Sequence, residues 1–440
     1  MMQPASQPNN AKQPAPPAPM PGTPPPVGVQ QAPPEIAAAL DFGTHTIKCL
    51  IALVQGEKFG IISVGRAPSR GIRNGEIVDL EQASAAAALA VRDAQSSAGL
   101  VCRRYFVGAA SKRSQGRNSR GSVTVTKENH QITDKNIEQA INLARNISLP
   151  PDRQIIDSVP QSFTVEDFAG VRNPLNMTGN KFDAEVYLAT ESASTIRNIN
   201  ACMRKIECRG EAILFEPFAT ADAVLTTDER ELGAVLINIG DGTMDLTVYY
   251  GGAPRLVRVL PVGAGHIISD VAVGLSTTIN GARELVHEHG FACDTLISTR
   301  DSKQMLKVAT PDSDVPHESS LGKLCFIIEC RVEEMFEIAK KEITKSLPSG
   351  RGGSSVILTG GAARLRGITK KAEQVFGTGA RVGCARRFTD FQDVGNDPAW
   401  ATTVGLLVYG LKARRLAQKN QPSPLFDTVV KAYNWVREMF

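Results

Sequence analysis

The chain has 440 residues, 42% of them hydrophobic, which is long enough for two or more domains with cores of their own. Its 49 basic and 45 acidic side chains leave a net charge of +4, too slight and too spread for a dedicated nucleic-acid binder. No stretch reaches the ~18 apolar residues needed to span a bilayer, and the N-terminus is not that of a signal peptide. Eight cysteines include no C-x-x-C pair. Cys202/Cys208 and Cys325/Cys330 fall on helical patterns as core residues, and the reduced thiols fit a cytosolic setting. His287-x-His289 reads as a solvated helix surface rather than a metal site.

In chain order, residues 1 to 34 carry twelve prolines, one charge (Lys12) and no aromatic ring, so residues 1–35 are expected to form a disordered, partly polyproline-II tail. From Ile36 a strand pair leads to an Ala-rich helix, Leu80 to Ala98, and a strand at Tyr105 to Ala109. A basic loop (Lys112, Arg113, Arg117, Arg120), a strand at 122–126, a helix at Asp134 to Ile147 and strands near 153–166 and 182–188 make an α+β insertion over 110–189. Thr133, with acidic Glu138 in the first turns, marks the start of that helix. Residues 190 to 230 read as helices. From Glu231 come strands at 233–239, 243–250 and 255–260, then helices from Gly265 to Gly290. Residues 300–320 read as a loop before a long helix, Leu321 to Ser346. Residues 355–367 are a strand running into Gly360-Gly361 and a helix, and a last body helix spans Trp400 to Ala417.

Two strand-turn-strand loops carry the chemistry: A-L-D-F-G-T-H-T-I-K, residues 39–48, and L-I-N-I-G-D-G-T-M-D-L-T-V-Y-Y, residues 236–250. In the second strand Thr243, Asp245, Thr247 and Tyr249 alternate with Met244, Leu246 and Val248. Gly43, Gly240 and Gly242 let backbone approach a ligand, and successive turn N–H groups form an anion-binding concavity. A lone Gly-Asp-Gly turn is an ordinary hairpin. Two of them, each opening half of a similarly built chain and joined by the strand-Gly-Gly-helix element, point to a nucleotide clamped between duplicated domains.

That triple resembles the actin/Hsp70/sugar-kinase superfamily. Within it, A-P-S-R-G-I-R-N-G-E-I-V-D-L-E (67–81), D-E-R-E-L-G (228–233), I-G-D-G-T-M-D-L-T-V-Y-Y-G-G (239–252), V-I-L-T-G-G-A-A (356–363) and T-V-G-L-L-V-Y-G (403–410) resemble the bacterial FtsA division proteins over residues 36–440. The resemblance implies an α/β, actin-like two-domain ATPase fold with an inserted α+β subdomain. Subdomain 1A would comprise 36–109, 190–230 and 390–410, and 1C would be 110–189. Subdomain 2A would comprise 231–262 and 347–389, with 2B at 263–346. It implies ATP and Mg²⁺ held by Asp41, Gly43, Thr44, Thr46, Gly240, Asp241, Gly242, Thr243, Gly360 and Gly361, with Asp41 and Asp241 reaching the cation through water; Lys48 is a further phosphate cation or solvent-facing. Two features depart from the family. Asn238 stands where the second loop opens with Asp, and Arg283 and Val286 replace the Glu and Lys of the ribose-contacting helix, leaving Glu284 as the neighbouring acceptor. Nucleotide binding is therefore expected to be weakened, with at most slow hydrolysis.

Residues 425–440 gather Leu425, Phe426, Val429, Val430, Ala432, Tyr433, Val436, Met439 and Phe440 on about half of a helix, at ~100° per residue. Trp435 and Arg437 stand at the edges, the pattern of a helix lying in a lipid headgroup layer. The linker 411–424 adds Lys412, Arg414, Arg415 and Lys419 without an acid, which suits anionic lipid. Sixteen residues cannot span, so attachment would be peripheral; the alternative is a helix packed on the core or on a partner. The family resemblance then implies a self-associating tether that links FtsZ filaments to the cytoplasmic face of the bacterial membrane at the division septum. The FtsZ tail would meet Arg331 and Glu334 in I-E-C-R-V-E-E-M (328–335), and other division proteins the 1C-like subdomain. A superfamily kinase and another bacterial actin homologue are the alternatives.

Overall fold

In the computed structural model, which describes residues 35–419 apart from 57, 127–129, 311–312, 348–352 and 386–391, the strand Glu35–Phe42 turns back antiparallel as Thr46–Gln55, setting Asp41 opposite Lys48. The Pro-rich tail and the helix expected at 425–440 lie outside the described residues. Lys58–Pro68 extends the meander, and Arg104–Ala109 and Arg209–Phe215 lie parallel behind the first strand. The plan is then repeated. Ala234–Ile239, Met244–Tyr250 and Ala253–Leu260 form a second meander, backed in parallel by Ser355–Thr359 and Ala380–Val382. Both sheets have five strands in the same spatial order. Parallel crossovers place helices on the sheet faces, so central strands are buried on both sides. Met244 to Tyr249 are buried without interruption, and the alternation read from their sequence separates two cores instead of core from solvent.

The Ala-rich helix Leu80–Ala98 covers the first sheet with Ala83, Ala86, Ala87, Ala90 and Ala94. Asp79 caps its start by accepting from the Gln82 N–H, a bond that holds this carboxyl below its usual range. Between Arg104–Ala109 and Arg209–Phe215 the chain makes a separate four-stranded antiparallel sheet packed on the helix Asp134–Arg145. Its own core includes Phe163 stacked on Phe182 at 5.6 Å.

Four segments differ from the sequence reading. Arg117 and Arg120 lie not in a loop but on the edge strand Gln115–Thr124, where exposed polar side chains satisfy one face and Arg120 reaches the buried Asp183. Residues 209–215 are a strand between helices. Residues 305–320 form a hairpin, Met305–Thr310 with Ser313–Ser320, because Leu306 and Val308 alternate into the second core while Met305 and Lys307 stay out. The expected basic linker begins as the last two turns of the helix Ala401–Lys419. Lys412 bonds Asp222 at 2.7 Å, Arg414 clamps both oxygens of Glu211, and Arg415 donates to the Gly56 carbonyl. These cations find acids and a carbonyl on elements far away in sequence, so they stabilise the body.

The same helix crosses the helix Glu216–Val224 at Gly405, where an added Cβ would stand 2.2 Å from the Ala219 carbonyl oxygen. Gly405→Val is expected to lower stability in urea by about 2 kcal/mol or more through overpacking. Gly379→Ala, with no atom within 4 Å of the added carbon, should leave the midpoint unchanged.

Candidate nucleotide cleft

Both Gly-rich turns open into one cleft, which encloses about 440 Å³. Gly43, Thr44 and Thr46 line it from the first hairpin, Gly240 and Asp241 from the second, and Gly361 from the turn after Ser355–Thr359. The other sequence candidates support these walls. Gly242 packs against Thr44 across the cleft, where a Cβ would meet that side chain at 2.9 Å. Thr243 closes its turn by accepting at its carbonyl from the Gly240 N–H at 2.9 Å. Gly360, at φ 86°, lies against the Asn238 side chain and the Ile239 backbone.

Buried carboxylates lie on the strands that carry the two turns. Asp41 is buried, 3.6 Å from Lys48 Nζ, and accepts from the Thr403 hydroxyl at 2.9 Å. Asp245 is the register partner of Asn238, whose amide donates to Asp245 Oδ2 at 2.9 Å and to Thr402 Oγ1 at 3.3 Å. Burial pushes the Asp245 carboxyl up to about 7, against the Asn238 bond and aided by Asp41. Its other oxygen, Oδ1, is buried without a partner among the described residues. Glu216, at the start of the helix after Arg209–Phe215, is pushed well above its usual range by burial and then by Asp41 and Asp245. With Asp41 beside them, Asp245 and Glu216 form an acidic cluster, one member with an orphaned oxygen, a donor set suited to a hydrated divalent cation.

The sequence reading paired Asp41 with Asp241 for this purpose. Asp241 lines the cleft, paired with Arg283 at 3.3 Å, and Asp245 and Glu216 lie close enough to Asp41 for its charge to raise both. Glu216 carried a usable signal, an acid before Pro217 at the C-terminal end of a parallel strand, but that strand was itself read as helix. Arg283 and Val286 both line the cleft, whereas Glu284, expected as a neighbouring acceptor, is exposed and stands outside its lining. His45, also in the lining, is held below its usual range by burial and then by the Arg283 charge. Arg331 is engaged rather than free, bonding both oxygens of Asp270 and donating to Glu334 at 2.6 Å.

Two sheets of one topology, each lending a Gly-rich hairpin to a shared cleft, define the actin-like class of two-domain proteins. A chain of the PilM–PilN type IV pilus biogenesis complex superposes with a TM-score of 0.61 at 16% identity, covering 85% of this chain and 98% of that one. MreB5 of Spiroplasma citri bound to AMPPNP gives 0.53 at 12%, covering 87% and 98%. Residues 235–405 match the family model of cell division protein FtsA, and residues 111–190 that of the SHS2 domain inserted in FtsA. The FtsA of Neisseria meningitidis serogroup B is 32% identical over 390 residues, 88% of this chain and 92% of that protein. The Escherichia coli K12 protein is 27% identical over 92% of this chain and 98% of its own length. The chain belongs to the FtsA family of cell division proteins.

Asn238→Asp would place a second buried carboxylate against Asp245, an arrangement stable only when a proton or a cation intervenes. The variant is expected to melt roughly 5 °C lower than the parent in EDTA and to recover in excess Mg²⁺, each kcal/mol moving a domain of this size by about 2–4 °C. Equal melting in both buffers would remove Asp245 from the cation-binding set.

Proposed function

We propose that this protein binds ATP with Mg²⁺ in the cleft, assembles with copies of itself, and tethers FtsZ filaments to the cytoplasmic face of the membrane at the division site. The observation that carries the nucleotide reading is the pair of Gly-rich turns opening into one cleft. Backbone N–H groups of Gly43–Thr46 and Asp241–Thr243, the Thr44 and Thr46 hydroxyls and Lys48 would supply donors for polyphosphate. Asp41 and Asp245 would hold the cation through its water shell, and the cation would supply charge neutralisation between the phosphates and these carboxylates. Asn238 brings an amide where a carboxylate would orient that shell, so slow turnover fits the site better than rapid hydrolysis. Gly360 and Gly361 would lie against the adenosine. The test is ATP binding and phosphate release on one sample; binding with release at ordinary kinase rates would favour the kinase alternative.

Membership of the FtsA family supports division-protein partners. For the FtsZ tail, the helices Ala264–Gly274 and Leu321–Ser346 offer a surface. Gly274 packs on Ile327 there, while the adjoining Val273 and Phe326 stand 82% and 62% exposed beside the Arg331–Glu334 pair. An acidic, partly apolar peptide suits that surface, with one of its carboxylates displacing Glu334 from Arg331. Arg331→Gln and Phe326→Ser should each weaken binding of an FtsZ C-terminal peptide at least about fivefold, the size of a lost charge-assisted or hot-spot contact. Melting curves serve as the control, because Arg331 also ties the two helices together. Unchanged affinity would move the contact elsewhere.

Membrane attachment is assigned to Leu425, Phe426, Val429, Val430, Tyr433, Trp435, Val436 and Phe440 on the strength of their sequence pattern. Among the described residues no helix is long and apolar enough to cross a membrane. With Lys412, Arg414 and Arg415 engaged in the body, attraction to lipid rests on Lys419, Lys431 and Arg437 at about 1 kcal/mol each near an anionic surface. Removing residues 425–440 is expected to abolish co-sedimentation with anionic liposomes while ATP binding persists. A truncated chain that still pellets as well as the intact one would return this segment to a core or partner role.

A further inference from the structure

The strands Glu35–Phe42, Arg104–Ala109 and Arg209–Phe215 run parallel, so their starts lie together at the end of the sheet away from the Gly-rich turn that follows Phe42. The helix Ala401–Lys419 runs the opposite way. Thr403 near its start meets Asp41 beside the turn, and Arg414 near its end meets Glu35 and Glu211 beside the strand starts. The chain therefore enters the first unit and leaves it at one end, opposite the cleft. Cations dominate that end. Arg104 and Arg209 are register partners whose exposed side chains stand on neighbouring strands, and neither has an acidic partner among the described residues. The acids described there are already paired, Glu35 and Glu211 with Arg414 and Glu207 with Arg103. Val101, 68% exposed, stands in the loop just before them.

Like charges held side by side by strand register repel each other, and an anion lying across both removes that cost. Two guanidinium groups beside an exposed apolar side chain suit a layer of lipid headgroups. Chain length brings such a layer within reach. From Lys419 to Leu425, where the segment assigned to membrane attachment starts, six residues extend at most about 22 Å. With that segment among the headgroups, this end of the body stays close to the bilayer, and the tether turns a weak contact into an intramolecular one. We propose that Arg104 and Arg209 form a second, body-borne contact with the phosphates of anionic lipid, which holds this end of the first unit against the membrane with the cleft turned away. The inference rests on the membrane-attachment reading above and assigns the body's own share in it. Two cations are too few to hold the body without the tether, so the contact acts as a multiplier in the intact chain.

The test is co-sedimentation of the full-length protein with phosphatidylcholine vesicles, made with and without phosphatidylglycerol. Arg104→Gln with Arg209→Gln is expected to lower partitioning onto the anionic vesicles roughly 25-fold, at about fivefold for each cation lost near the surface. Arg104→Lys with Arg209→Lys keeps both charges and should stay within about threefold of the parent. Lys303→Gln with Lys323→Gln removes the same charge from exposed positions of the second unit and should cost less than about twofold, because salt screens charges that do not touch the membrane. A drop of less than about threefold for the arginine-to-glutamine pair, or an equal drop for the charge-keeping or the second-unit pair, overturns the contact and leaves the tether reading standing. Intact protein that does not bind anionic vesicles at all removes the tether reading, and the inference falls with it.

Discussion

Everything at the centre of this molecule depends on keeping several carboxyl groups together in poorly solvated surroundings. Asp41 and Asp245 are almost fully buried, and Glu216 is raised by both. Burying one ionised carboxylate without compensation costs several kcal/mol, and neighbouring carboxylates raise that cost. The fold offsets it with donors from separate elements: Lys48 and Thr403 for Asp41, Asn238 for Asp245. Lys48 is further held 6.0 Å from the Trp400 ring centroid. Among the described residues the compensation is incomplete, as the unpartnered Oδ1 of Asp245 shows.

The repeated sheet plan makes this convergence geometrically simple. Each meander presents its tight turn at the same end of its sheet, so two such units face turn to turn. The last body helix then joins the halves from behind. Thr402 and Thr403 at its start reach Asn238 and Asp41, which belong to different sheets. Further along, Lys412 and Arg414 fasten it to Asp222 and Glu211 of the first unit. Moving this helix would disturb Asp41, Asn238 and the body packing together.

Much of the frame was legible from local pattern. The hairpin at Asp41 to Lys48, the Ala-rich helix Leu80–Ala98 and the helix from Leu321 follow from turn chemistry and periodicity, and they formed as read. The errors lay where one local signal had two tertiary meanings. A basic stretch at 112–120 is as compatible with an edge strand as with a loop. Prolines and aspartates at 311–316 suggest a loop until Leu306 and Val308 are seen entering a core. The strand at 209–215 is short and flanked by helices, so periodicity alone did not separate it from them.

By itself the sequence determined the two Gly-rich turns, the insertion between the first unit's strands and the family to which the chain belongs, because these reside in contiguous runs of residues. Only the tertiary structure decided which acids gather near Asp41. Asp241 and Asp245 are four residues apart, yet one turns to Arg283 and the other faces Asn238, a choice made by strand register. Glu216 joins them through a strand and helix of the other unit. The fates of Arg331, Lys412 and Arg414 were likewise set by Asp270, Asp222 and Glu211, between 61 and 203 residues away. A local pattern places a charged side chain on a face. The partner that fixes its charge comes from whichever distant element packs there, and that is a property of the folded chain.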